Sequence, residues 1–149
     1  MQKNFTLFLV IAAALVILTS PGLTDIGQIK TVKGDVKTVR GAKTLSAKAG
    51  DTLEQHDALV TGTDSSVGMT FIDGTRFSAG PNSNLELSRF KFNPTTLDGA
   101  FETKINRGTL AIISGRIAKR SPDAMKVRTP ASIPDVRGTQ FLVKVGGEE

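Results

Sequence analysis

The sequence predicts an all-β domain behind a short apolar leader. Three observations carry this. After residue 25 apolar residues alternate with polar ones at period two, turn residues recur at short intervals, and helix signals are nearly absent. The glycines and prolines are spread along the chain rather than clustered, as many short turns require. At 149 residues the size favours one domain. Such a domain can bury about 70% of its unfolded surface, enough for an ordinary core.

The leader is residues 1–24 and the domain residues 25–149. Lys3 is the only charge before Asp25, and from Phe5 to Leu18 the only polar residue is Thr6. Thr19-Ser20-Pro21-Gly22 then breaks the apolar run, which reads as a secretory signal cleaved near its small-residue end. The alternative is an uncleaved membrane anchor, because Asn4 to Thr24 carries no charge and is just long enough to span a bilayer. Either way the domain is exported. With no cysteine a lipid-modified N-terminal cysteine is excluded.

Within the domain, Val67, Met69 and Phe71 alternate with Gly68 and Thr70, and Leu85 and Leu87 alternate with Glu86 and Ser88. Phe90 and Phe92 continue the second series on the opposite parity, which requires a β-bulge or a bend at Ser88-Arg89. Phe101, Thr103 and Ile105 form a further inward row, as do Met125, Val127 and Thr129, and then Thr139, Phe141, Val143 and Val145. Gly108 to Ile113 is apolar at both parities and is predicted to be the most buried strand. Asp73-Gly74 and Asp98-Gly99 read as hairpin turns. For the first, only a three-residue loop, Ile72-Asp73-Gly74, keeps the apolar face together. It pairs Met69 with Phe77 and Val67 with Ala79, and puts Gly74 in the left-handed position. Ala47 to Leu59 is the best helical window, but Gly50-Asp51 breaks it as a turn.

Composition removes most chemistry. Without cysteine there is no disulfide, thiolate zinc site, cysteine nucleophile or iron–sulfur cluster, and one histidine cannot build a two-imidazole site. His56 with Ser65 or Ser66 would be the only hydrolase pairing, yet it sits in a polar stretch with no strained nucleophile turn, and an exposed loop position is predicted. Asp51, Glu54, Asp57, Asp64 and Asp73 match no calcium-loop spacing, and turn and surface roles are predicted for them. Gly41-Ala42-Lys43-Thr44 lacks the first glycine of a phosphate loop. No catalytic, cofactor-binding or metal-ligating residue is assigned, and the domain is read as non-enzymatic.

The net charge is +5, with bases concentrated in Lys30–Lys48 and Lys104–Arg128. Export argues against nucleic acid as the partner. The plain expectation is solvated strand faces; the sharper one is contact with an anionic cell-wall polymer or an acidic protein face.

Several short motifs together resemble the FecR domain family. They are Ala49-Gly50-Asp51-Thr52-Leu53, Asp57-Ala58-Leu59-Val60-Thr61-Gly62, Phe71-Ile72-Asp73-Gly74-Thr75 and Pro81-Asn82-Ser83. The closing signature is Val127-Arg128-Thr129-Pro130-Ala131 followed by Val136-Arg137-Gly138-Thr139-Gln140-Phe141. The resemblance runs from residue 27 to about 145. It implies a β-roll or short β-solenoid of short strands, the alternative being a β-sandwich, in the periplasm or secreted, or anchored at the inner membrane if residues 4–24 stay attached. It implies structural roles for Gly50, Asp51, Thr61, Gly62, Asp73, Gly74, Thr129, Pro130, Val136, Arg137, Gly138, Thr139 and Phe141. Regulators of iron uptake in that family also carry a cytoplasmic sigma-factor-binding part and a C-terminal receptor-contacting part. Neither is expected here, since Met1 to Asn4 alone precedes the apolar run and the chain stops at Glu149. What carries over is an envelope interaction module for sensing or scaffolding; a cell-wall or carbohydrate-binding protein is the alternative. Arg137 shares parity with the inward row of its strand, and is predicted at the core rim with Asp73 or Asp51 as partner, the alternative being an exit to solvent through a bulge at Gly138.

Overall fold

The computed structural model describes residues 25–134 and 138–146. The leader, Val136 and Arg137 lie outside them.

The described chain is all-β apart from two short helical turns. Its strands are β1 (Gly27–Lys33), β2 (Val36–Arg40), β3 (Lys43–Ser46), β4 (Thr52–Leu53), β5 (Ala58–Thr61), β6 (Ser66–Phe71), β7 (Arg76–Ala79), β8 (Asn84–Phe92), β9 (Gly99–Ile113), β10 (Met125–Arg128) and β11 (Gln140–Val145). They form one curled sheet in the order β3-β2-β5-β8-β9-β7-β6-β1-β4, with β10 and β11 also on β9. All pairings are antiparallel except β9 with β10.

β9 is the spine. Its first half pairs with β8, from Phe92 opposite Gly99 to Asn84 opposite Arg107. Its second half pairs with β7, from Ala79 opposite Leu110 to Arg76 opposite Ile113. On its other edge lie β10, opposite Phe101–Lys104, and β11, opposite Gly108–Ile113. The two halves turn relative to each other at Gly108, whose φ of 95° suits glycine. A Cβ at Gly108 would overlap the backbone and side chain of Ser83.

The curl closes over one apolar core. Phe71 and Phe77 come from β6 and β7, Phe90 and Phe101 from β8 and β9. Phe101 lies 4.7 Å from Phe71, 5.1 Å from Phe77 and 4.9 Å from Phe90 between ring centroids. The first and last of these pairs meet edge to face, a favourable geometry for aromatic rings. Ile29, Leu53, Leu59, Leu85, Ile105 and Leu110 fill the space around them.

Most expected strand faces are present. Val67, Met69 and Phe71 point inward, and the three-residue hairpin pairs Val67 with Ala79 and Met69 with Phe77. Gly74 has a φ of 86°. The parity break is a bulge, since the register jumps from Leu87–Thr103 to Arg89–Glu102 and leaves Ser88 as the extra residue.

Four expectations need correction. The Asp98-Gly99 turn is a longer loop: Asn93 to Asp98 connect the strands, Gly99 already pairs with Phe92, and Leu97 rather than a glycine takes positive φ, at 64°. Asn93 holds this loop by accepting hydrogen bonds from the amides of Thr95 and Thr96. Gly108–Ile113 is not buried on both faces. Its edges are flanked by β7 and β11, and on its outer face Thr109 and Ala111 are half-buried while Ile113 is 36% exposed. Thr129 and Thr139 lie just outside β10 and β11. A helix, α1 (Arg116–Arg120), follows β9 where none is expected.

Residues 27–53 are part of the same sheet as the rest: β1 pairs with β6 and β2 with β5.

Candidate functional site

The family-like motifs sort into three structural knots and one open groove. The first knot is the corner opposite Gly108. Thr61 donates its hydroxyl to the Gly80 carbonyl at 2.6 Å and accepts from the Ser83 amide at 2.9 Å. The Thr61 amide returns to the Ser83 carbonyl at 3.0 Å, and the Asn82 amide reaches the Gly62 carbonyl at 3.0 Å. Thr61-Gly62 and Pro81-Asn82-Ser83, distant in sequence, therefore form one corner that braces the turn of β9.

The second knot is Asp73-Gly74-Thr75. The Asp73 carboxylate is fully buried and accepts from the Thr75 amide at 3.0 Å, the Thr75 hydroxyl at 2.7 Å and the Ile117 amide at 3.3 Å. The Asp73 carbonyl accepts from the Arg116 amide at 2.8 Å. A hairpin turn thus supplies the N-terminal cap that α1 lacks in its own sequence, where the cap position is Gly115.

The third is the turn at Gly50-Asp51. Asp51 Oδ2 accepts from the Lys48 amide at 2.8 Å, and the Ile29 carbonyl accepts from the Gly50 amide at 2.8 Å, which fastens the turn to β1. Asp73 and Asp51, the two partners expected for Arg137, are thus engaged with Thr75, Ile117 and Lys48.

The acidic block is corrected at two places. Asp73 is a turn residue but a buried one. Asp57 is also fully buried, because its charge is met: Arg40 donates Nε to Oδ1 at 2.8 Å and Nη2 to Oδ2 at 2.7 Å, and the Glu54 amide donates at 2.9 Å. Arg40 also faces Glu54 at 3.1 Å, so this base of the Lys30–Lys48 cluster is not a free surface charge. The Asp57 hydrogen bond raises the Arg40 pKa above its ordinary value against the opposing effect of burial. Asp51 and Asp64 are exposed turn residues, as expected. His56 is exposed and faces Gln55 Nε2 at 3.2 Å.

The remaining signature residues border the groove. Thr129 closes a turn with Ser132: its hydroxyl accepts from the Ser132 amide at 3.0 Å, and its amide reaches the Ser132 carbonyl at 2.9 Å. Pro130 and Ala131 form the tip of that turn. Ser114 ties down the far end, donating its amide to the Thr139 carbonyl at 2.8 Å and its hydroxyl to the Gly138 carbonyl at 3.0 Å. Phe141 packs half-buried against the core. Between the Thr129–Pro134 loop and β11 lies an open groove of about 800 Å³, walled by Pro130, Pro134, Leu142, Lys144, Arg107 and Asn106. Its β11 wall, including Leu142 and Lys144, escapes a reading of the sequence, which ranks strand residues by inward parity; these two face outward.

A second surface lies on the outer face of β8, β9 and β10. Register places Arg89 beside Glu102 and Lys126 beside Glu102 from the other edge; Glu86, Lys104 and Arg128 form the next row. With Lys91 beyond them, five exposed bases share this face with the half-buried Glu86 and Glu102. The nearest opposite charges are loosely matched: Arg128 lies 3.9 Å from Glu102. Alternation therefore sends the strand bases Lys104, Lys126 and Arg128 outward, whereas Arg116, Lys119 and Arg120 of the same stretch lie on α1.

No helix among the described residues is long and apolar enough to cross a membrane. No curated protein and no solved structure matches the chain. Residues 57–149 match the family described as FecR protein, and they include the Thr61 corner, the Asp73 knot, the groove and the basic face. The chain belongs to the FecR family.

Proposed function

We propose that the chain is an exported, non-enzymatic interaction module of the cell envelope that acts in signal sensing or scaffolding. Family membership carries this reading. The local chemistry agrees with it. The buried carboxylates are engaged structurally, Asp57 by Arg40 and Asp73 by Thr75 and Ile117. The single histidine contacts an amide side chain. For the fold we keep the β-roll reading, since the strands belong to one curled sheet that shares β9.

Cross-linking in intact cells followed by affinity capture of the chain tests the function. One recurrent envelope partner is the expected result; a chain that cross-links to nothing, or to neighbours in proportion to their abundance, contradicts it. N-terminal sequencing tests export: the mature chain starts between about residues 20 and 26, where the small-residue end of the leader lies. Recovery of Met1 from the envelope makes residues 4–24 an anchor instead.

The basic face favours a second reading, contact with an anionic cell-wall polymer. Every phenylalanine among the described residues is buried or half-buried, so the face has no aromatic platform for sugar stacking and the contact would be ionic. Co-sedimentation with purified cell wall separates the two readings.

A further inference from the structure

We propose that the groove beside β11 receives an extended acidic peptide, which adds as a further strand to the free edge of β11. The inference rests on the interaction-module reading and names its partner class.

Three observations converge on this groove. The first is an open edge. β11 pairs with β9 alone among the described strands, and no hydrogen bond joins it to the Thr129–Pro134 loop that runs opposite. From Leu142 to Val145 this leaves about 13 Å of strand edge facing a groove rather than a described neighbour. Unpaired edges are templates for strand addition, and folds commonly blunt them with charge, proline or a covering loop. Here the prolines sit on the opposite wall, at Pro130 and Pro134, and leave the edge itself free to pair.

The second is charge. Arg107 and Lys144 line the groove, and no acidic residue among the described residues does. Neither base forms an ion pair among the described residues. Both also line a smaller cleft on the far side, with Asn82 and Thr109, so the positive potential extends along the strand end. Main-chain pairing would supply affinity and the two bases would select acidic side chains.

The third is apolar exposure, greatest here among the large apolar side chains of the described residues. Leu142 is 66% exposed on β11 and Ile133 is 56% exposed on the facing loop. An added strand would place alternate side chains against Leu142 on one face of the sheet.

The test uses the full chain and a fluorescein-labelled peptide of alternating threonine and glutamate. Its lysine counterpart serves as the charge control, and two further forms carry N-methyl groups on alternate amides in opposite phases. Fluorescence anisotropy should show binding of the glutamate peptide and none of the lysine peptide. N-methylation in one phase should abolish binding while the other phase is tolerated, since a strand pairs through one edge only. The double variant Arg107→Glu, Lys144→Glu should weaken binding about tenfold, as expected for the loss of two exposed charge contacts. Amide hydrogen exchange should slow at Leu142–Val145 in the complex. Equal tolerance of both N-methyl phases would mean ionic adhesion, as to a polyanion, and overturns the proposal; so does affinity unchanged by the double variant, or no binding at all. If the double variant still captures the same envelope partner as the parent chain in intact cells, the inference fails and the interaction-module reading stands.

Discussion

Arg40 grips the fully buried Asp57 through both carboxylate oxygens, with Nε–Oδ1 at 2.8 Å and Nη2–Oδ2 at 2.7 Å. The pair joins the end of β2 to the start of β5, and Arg40 extends it by donating to the Thr52 carbonyl at 3.1 Å. Removing one partner leaves a charge without its counter-ion. Asp57→Ala is predicted to cost about 3 kcal/mol, the low end for a broken buried pair because Arg40 remains partly hydrated. Arg40→Lys should cost less than Arg40→Ala, yet more than a surface substitution, because an ammonium cannot match both oxygens. Urea denaturation followed by far-UV circular dichroism measures this, as the chain has no Trp or Tyr. The raised Arg40 pKa fixes the sign of its pH effect: its contribution is complete below the unfolded-state value and is lost only as pH rises through the still higher folded value. Arg40 titration therefore adds no slope to stability near neutral pH.

Asp73 holds two elements at once, its own turn and the start of α1. Asp73→Ala strips acceptors from the Thr75 hydroxyl and from the Thr75 and Ile117 amides, and should cost about 2–4 kcal/mol as several buried donors lose their partner. Asp73→Asn keeps the shape but puts a donor where an acceptor is needed for at least one of them, so it should remain clearly destabilised. Hydrogen exchange localises the effect: amides of Arg116 and Ile117 should lose protection before those of β9.

Gly108 is where β9 turns, and its left-handed φ and contact with Ser83 both exclude a side chain. Gly108→Ala should destabilise the chain by more than about 1 kcal/mol, beyond the usual glycine-to-alanine strain at positive φ. Gly74→Ala, which has the same backbone sign but open space around it, should lose only the conformational part. Comparing the two denaturation midpoints separates overlap from strain.

The basic outer face makes a salt-dependent prediction. If an anionic polymer binds Arg89, Lys104, Lys126 and Arg128, co-sedimentation should fall steeply between low and physiological salt, where charges are screened over about 8–10 Å. Salt-insensitive retention, or none, leaves these residues as a solvated face.

How much was legible in the sequence follows from the range of each interaction. The Ser88 bulge and the Ile72-Asp73-Gly74 hairpin were readable because parity is a local rule and both lie within one or two strands. The helix α1 was not. Five residues do not hold a helix by propensity, and the cap comes from Asp73, far back in the chain. Asp57 was misplaced for the same reason: a carboxylate beside turn residues looks solvated until Arg40 arrives from another strand. The exposure of Ile113 and Leu142 depends on what does not cover them, which no run of residues records. Arg137, the boldest expectation, lies outside the described residues.

Whether the chain works by holding a partner can be read by native mass spectrometry on complexes fixed in intact cells and released gently from the envelope. The expected result is a discrete species in which the chain carries one different envelope component at fixed stoichiometry. The chain recovered alone, under fixation that captures a known envelope complex in the same cells, would contradict it.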